Sequence, residues 1–424
     1  MSLYYVYVHK TLKLLTFNIK DSNIILKVKL NTGTNYFYYE KWRSMFMKKI
    51  LFAAIVSSLL LAGCSAMPVN SSDCEVAKIT WETAGKLPAQ KGYTQNIGTA
   101  GVLNGVLEGK YIVVGGGANF PVKSPAEGGP KVTYSDVYVL VDHDGKLDVV
   151  EHTNFPHPIG YGASVTTKDG IYYIGGAPDA ENDNDIWFLS MRDGKLDMKK
   201  IGDLPFTFQN GRAVEKDGKL YVFTGKQAGK TSNEFYSYDI KTGKTEKLAD
   251  VPGPVRAQAV AQVLNGDIYV FGGGNSKALT DGYKYSFYTK QWTPVAPIVV
   301  NGEPVSVLGG NSVKLNCNEM MVIGGFNRQV WDDANYYLST LKGDELAKYK
   351  ANYFGTDPVD FHWNKEILIY NAKTNTWKSI GEVPFDAPCG EGLVLVGNNV
   401  YSVNGEIKPG VRTSRMYTGH IIKR

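Results

Sequence analysis

The sequence predicts an all-β protein, a six-bladed β-propeller whose last blade is closed by the N-terminal strand. Three observations predict it. A short apolar strand ending in a glycine recurs six times: YIVVGG (111–116), IYYIGG (171–176), LYVFTG (220–225), IYVFGG (268–273), MMVIGG (320–325) and VYSVNG (400–405). An apolar residue followed by proline also recurs six times, as Leu87-Pro88, Phe155-Pro156, Leu204-Pro205, Val251-Pro252, Ala296-Pro297 and Val383-Pro384. Finally, the sixth unit has three strands at about 390–420 before the sequence stops, and Lys78-Ile79-Thr80-Trp81-Glu82 reads as its missing fourth.

Each element has a physical reason. The first four steps between glycine markers are 48 to 60 residues, near the Kelch repeat of about 50. The apolar runs are rich in Val, Ile, Tyr and Phe, which suits strands buried on both faces between neighbouring blades. Their terminal glycines let the chain turn with positive φ. Asp144-Gly145, Asp193-Gly194 and Thr242-Gly243 then read as hairpins joining third and fourth strands. Proline after the fourth strand cannot continue a ladder and ends the blade. Trp81 takes the place that Trp292 and Trp377 hold in their own blades. No helical periodicity of useful length is visible. Unit five is the exception, with about eighty residues to the next marker. Its surplus, 326–361, is expected to be a long loop on one face.

The N-terminal region carries a different signal. From Met47 the chain reads MKKILFAAIVSSLLLAGC: Lys48 and Lys49 form a basic start, Ile50–Leu61 an apolar run, and Leu61-Ala62-Gly63-Cys64 a small-residue cleavage site. The run is too short to span a bilayer. The box resembles the lipobox of bacterial lipoproteins, which implies lipidation of Cys64 and, with Ser65 next, a periplasmic protein anchored to the outer membrane. The expected organisation is a leader over 1–46 that is not translated, a signal peptide over 47–64, a tether over 65–75 and the propeller over 76–424. Residues 1–64 hold nine Lys/Arg and two Asp/Glu of the chain's 46 and 41. The remainder therefore carries about −2, and no basic field argues for nucleic acid. Contact with a membrane is expected through the lipid alone. Of the other cysteines, Cys74, Cys317 and Cys389, none has zinc-ligand spacing. A Cys74–Cys389 disulfide and buried thiols are both compatible with the sequence.

Three segments beside blade markers could carry chemistry. In Asn404-Gly405-Glu406-Ile407-Lys408-Pro409-Gly410-Val411-Arg412-Thr413 a carboxylate follows the strand and an arginine comes six residues later, across a Pro-Gly turn. That brings together a base and an anion anchor. Pro254-Val255-Arg256-Ala257-Gln258 and Gln209-Asn210-Gly211-Arg212 open units four and three and offer further contacts through Arg256, Gln258 and Arg212. In Kelch units an arginine here often serves packing. The histidines His143, His152, His157, His362 and His420 do not cluster.

The glutamate loop NGEIKPGVRT (404–413) resembles the corresponding segment of the N-acetylneuraminate epimerases, the sialic acid mutarotases. VPGPVRAQAVAQVLNGDIYVFGG (251–273), VIGGFN (322–327) and WNKEILIYNAKTNTW (363–377) are similar as well. The blade equivalent to 204–250 opens better-known members and lies third here, so the chain looks like a cyclically permuted branch of the family. The resemblance implies interconversion of the α and β anomers of N-acetylneuraminate, without metal or cofactor. Glu406 matches the proton acceptor and Arg412 its partner, with Arg256, Gln258, Arg212 and Asn327 as substrate contacts. A non-catalytic glycan-binding propeller is the alternative reading.

Overall fold

A computed structural model describes residues 75–424 throughout. Ahead of them it describes only the backbone of four strands, Tyr4–Val6, Leu12–Lys20, Asn23–Leu30 and Asn35–Lys41, paired in that order as an antiparallel sheet. That sheet lies in a unit of its own, residues 1–70, distinct from the unit 71–424. The expected signal peptide over 47–64, Cys64 and Cys74 lie outside the described residues.

Residues 75–424 are mostly strand and form small antiparallel sheets, an arrangement of the propeller type. Six sheets have four strands each, hydrogen-bonded as simple meanders. The first comprises Leu103–Leu107, Tyr111–Gly115, Asp136–His143 and Lys146–Asn154. The second runs from Ala163–Thr166 to Lys195–Asp203, the third from Arg212–Lys216 to Thr245–Lys247, and the fourth from Val260–Leu264 to Gln291–Val295. The fifth joins Asn311–Lys314, Glu319–Ile323, Glu366–Asn371 and Thr376–Glu382. In the sixth, Gly392–Val396, Asn399–Val403 and Arg415–Lys423 are followed in the ladder by Val76–Lys86, the first fully described strand.

Burial follows the sequence pattern. Second strands are apolar without alternation, and Ile112, Val113 and Val114 are all wholly buried. The outermost strand Lys146–Asn154 alternates instead between covered and exposed positions. Asp144 and Gly145 both have positive φ, as do Asp193 and Gly194, the backbone of the tight two-residue hairpin. Apolar clusters fill the space between consecutive sheets. Val113, Val137 and Val139 of the first meet Ile171, Tyr173 and Leu189 of the second. Val394, Tyr401 and Val403 of the sixth meet Ile112, Val114 and Leu140 of the first.

The apolar-proline marker is a plug. Leu87, Phe155, Leu204, Val251 and Val383 are buried, each worth about 1.5–3 kcal/mol relative to exposure. The amides of Phe155, Leu204, Val251 and Val383 donate to Ser135, Asn184, Asn233 and Lys365, tying each plug to the start of its own sheet's third strand. Unit four departs from this. Ala296 is partly exposed, and Ile298, two residues on, is wholly buried and donates to Thr280.

The first strands meet at a ring of backbone hydrogen bonds. Gly101 donates to Gly390, Tyr161 to Gly101, Asn210 to Tyr161, Gln258 to Asn210, Gly309 to Gln258 and Gly390 to Gly309, over 2.7–3.1 Å. All six residues have positive φ, between +54° and +82°. Glycine adopts this backbone freely and asparagine tolerates it. Tyr161 and Gln258 hold it at a cost on the order of 1–3 kcal/mol each.

The surplus of unit five corrects the expectation of an irregular loop in a chain without helices. It folds as α1 (Arg328–Thr340) and α2 (Gly343–Gly355), with a 3-10 turn at Pro358–Phe361. Ala334 is the only buried residue of α1 and α2 has none, so neither shows a broad apolar stripe in its sequence. Asn327 caps α1 by accepting from the Val330 amide at 3.1 Å. Asp332 and Trp331 bind the backbone at Ala278 and Asn275.

Gly101 gives a test of the ring. A Cβ there would lie 2.4 Å from the Tyr161 ring, on a backbone with φ +74°. Gly101→Ala is expected to lower unfolding stability by about 2 kcal/mol or more, measured by chemical denaturation.

Candidate active site

The first strands of all six sheets enclose a cavity of about 440 Å³. The six ring residues line it, together with Arg212, Asn311, Phe326, Cys389 and Glu406. Three consecutive ring positions, Tyr161, Asn210 and Gln258, present side chains there, and the other three are glycines. The Gln258 amide donates to Asn210 at 3.1 Å, and its buried oxygen has no partner among the described residues.

Glu406 reaches the cavity from a short hairpin. Glu406–Lys408 pairs with Val411–Arg412, and Glu406 faces Arg412 across it. Lys408-Pro409-Gly410 makes the turn, with Gly410 at φ +82°. The Glu406 backbone is pinned on its other side by reciprocal bonds with Cys389 at 2.8 and 2.9 Å. Its carboxylate oxygen Oε1 accepts from the Gly410 amide at 2.8 Å and from Arg412 Nη1 at 3.2 Å. Burial pushes this carboxyl above its ordinary value, while Arg412, the Gly410 amide and Lys131 oppose the shift.

Each nitrogen of Arg412 has a partner. Its Nε donates to Ala118 O at 3.2 Å, and its Nη2 to the Tyr161 hydroxyl at 3.3 Å. The guanidinium also lies 4.8 Å over the Phe120 ring. One guanidinium thus holds a carboxylate and a phenol side by side. Lys131 Nζ sits 4.6 Å over the opposite partner, the Tyr161 ring. Burial and the neighbouring charges of Arg412 and Lys226 push this ammonium down, with Glu406 working the other way.

The other sequence candidates divide. Gln258 and Arg212 line the cavity. Arg212 uses its donors on Ala259 O, Gly310 O at 3.0 Å and Asn311 Oδ1 at 3.1 Å, linking sheets three, four and five. Arg256 and Asn327, also expected from the sequence to contact substrate, are not among the residues that line this cavity. Arg256 is wholly buried and grips Asp281 bidentately at 2.6 and 2.8 Å, with Gly272 O and Pro252 O beside it. Asn327 serves as the cap of α1. Cys389 is a buried thiol whose Sγ faces Leu308 O at 4.0 Å.

Two features lay outside the sequence reading. Tyr161 is a cavity residue at φ +67°. Its visible signal was a tyrosine between two glycines where other units begin their first strand. Glu391, directly after ring residue Gly390, is wholly buried, and neither carboxyl oxygen has a hydrogen-bond partner among the described residues. The same position in other sheets holds Val102, Gly162, Gly211, Ala259 and Gly310.

The family model for N-acetylneuraminate epimerase matches residues 44–198 and 201–424. The chain belongs to the N-acetylneuraminate epimerase family. Among curated relatives, the N-acetylneuraminate epimerase of Salmonella enteritidis PT4 is 38% identical over 181 residues, covering 41% of this chain and 46% of that protein. The N-acetylneuraminate epimerase of Yersinia enterocolitica is 35% identical over 184 residues, covering 41% and 46%. The chain thus spans about half the length of the curated relatives it matches. A solved structure described as that of YjhT is 26% identical and covers 52% of this chain and 66% of its own, with a TM-score of 0.47.

Glu391 gives the site a pH signature. Burial raises its carboxyl to about 8 from an ordinary 4.5. Between those values the folded protein keeps a proton that the unfolded chain has released, so stability falls as pH rises through the window. Glu391→Gln, a neutral isostere, is expected to melt above the wild type at pH about 8.5 and level with it at pH about 4.5. Scanning calorimetry at the two pH values reads this.

Proposed function

We propose that this protein interconverts the α and β anomers of N-acetylneuraminate by acid–base opening and closing of the pyranose ring. The observation that carries the reading is the Glu406–Arg412 pair at a cavity in a member of this family. Opening the ring requires a proton to leave the anomeric hydroxyl and one to reach the ring oxygen. Glu406, held by Arg412 and the Gly410 amide, is placed to take the first. Its raised pKa brings it closer to the pH at which it must both accept and return a proton. The open keto form turns and closes on its other face, and Glu406 restores the proton it took.

We also infer that the six sheets are the blades of one closed propeller. The ring of six inter-sheet hydrogen bonds and the pairing of Arg415–Lys423 with Val76–Lys86 support this. A permuted order of blades fits the same closure, since a ring can be opened at any loop.

For its location we propose export and lipidation at Cys64, with translation from Met47. Cys64→Ser is expected to leave a precursor with its signal peptide attached, and intact mass then reads the first residue. A Met1 start, or lipid retained on the variant, refutes the corresponding part.

The activity is tested by adding a sialidase that releases one anomer and following both anomers by proton NMR. The wild type should accelerate equilibration, and Glu406→Gln should lose about 10²–10⁴-fold in rate while still binding sugar. Binding by the wild type without any acceleration would favour a glycan-binding propeller.

A further inference from the structure

Anomer exchange needs two proton-handling groups, and the Glu406 carboxyl accounts for one. The second must line the same cavity, be protonated when the ring opens, and tolerate the charge left behind. We propose that Tyr161 is the acid that delivers the proton to the ring oxygen. This rests on the mutarotase reading and deepens it.

Four observations carry the assignment. Tyr161 lines the cavity together with Glu406. Its hydroxyl and the Glu406 carboxylate are hydrogen-bonded to the two ends of one guanidinium, at 3.3 Å from Arg412 Nη2 and 3.2 Å from Nη1. The Lys131 ammonium lies 4.6 Å over the tyrosine ring. The residue keeps φ +67° inside the hydrogen-bonded ring, where Gly101, Gly309 and Gly390 hold equivalent places without strain. Strain retained at a non-glycine residue marks a position where the side chain is needed.

The charges around the phenol suit the step. Arg412, Glu406 and Lys131 face it, with Lys226 beyond Lys131. Burial raises the phenol, which keeps its proton in place at neutral pH, and Arg412 pulls the other way. While Glu406 is ionised its charge opposes formation of a phenolate. Once Glu406 has taken the substrate's proton that opposition disappears, and two cations remain to stabilise the phenolate. Each proton transfer therefore favours the other.

The step balances. Glu406 removes the anomeric hydroxyl proton and the bond from anomeric carbon to ring oxygen breaks. Its electron pair goes to the ring oxygen, which takes the phenolic proton. The products are a keto chain, a protonated Glu406 and a Tyr161 phenolate. After the chain turns, the hydroxyl attacks the other carbonyl face and returns its proton to Tyr161. Glu406 protonates the new anomeric oxygen, and both residues regain their starting states.

Tyr161→Phe keeps the ring and its contact with Lys131 but removes the proton. The assignment expects kcat to fall by about 10²–10⁴-fold, KM to change little, and the alkaline limb of the kcat profile to disappear. Replacing Tyr161 with 3,5-difluorotyrosine, whose phenol is more acidic, should move that limb to lower pH. A merely structural tyrosine would leave the limb where it was. Wild-type turnover in Tyr161→Phe, or an unmoved limb in the fluorinated protein, overturns the assignment and leaves the mutarotase reading standing. A wild type that does not accelerate anomer exchange removes both. Should Tyr161→Phe fail to fold by near-UV circular dichroism, the fluorinated protein decides.

Discussion

Six peptide groups, one from each sheet, donate to one another around the cavity, and the rest of the molecule is arranged to let them. For each N–H to point at the next sheet's carbonyl, the residue that carries it must take a left-handed backbone. Each bond is worth a net of about 1 kcal/mol, so the ring alone does not hold the sheets together. The apolar clusters between sheets do that, and the ring fixes where the first strands stand. Because the left-handed positions also form the cavity wall, the constraint that orders the sheets also shapes the site. Where the position is glycine the wall is bare backbone. Where it is Tyr161, Asn210 or Gln258, a functional group enters the cavity.

The three arginines named by the sequence show how surroundings divide one chemistry into separate roles. Arg256 satisfies a carboxylate and two carbonyls out of water and belongs to the frame of sheet four. Arg212 spends its donors on neighbouring sheets and contributes a cationic wall. Arg412 binds one carbonyl and holds the Glu406 carboxylate and the Tyr161 hydroxyl side by side. None of the three is an uncommitted fork waiting for a substrate carboxylate. Around the Glu406 site, the Lys131 ammonium lies against the face of an aromatic ring.

How much of this could be read in the chain depended on how local the cause was. Strand runs and Asp-Gly hairpins arise from neighbouring residues and stand where the repeat put them, as do five of the six plugs, Ile298 replacing Ala296 in unit four. Glu406 and Arg412 were legible because only a Pro-Gly turn separates them. Arg256 was not, because its fate is set by Asp281, twenty-five positions away. The helices after Asn327 were missed because neither carries a broad apolar stripe: α1 is held to the loop 275–278 through a carboxylate and an indole, and α2 packs through Tyr353 on Phe361. Tyr161 looked like one aromatic among 27 tyrosines, and nothing local announces a left-handed backbone at a residue so poorly suited to it. Glu391 follows ring residue Gly390, and its burial has no local signal in the sequence.

The ladder between Val76–Lys86 and Arg415–Lys423 has a consequence for how the molecule is made. Its partners are separated by more than three hundred residues, and contacts so distant in sequence slow folding. Until Arg415–Lys423 has emerged from the ribosome, Val76–Lys86 has no partner in its own sheet. During that interval two neighbouring sheets keep open flanks, the kind of edge that invites pairing with other chains. The strand 415–423 therefore ends the exposure of a strand made more than three hundred residues earlier.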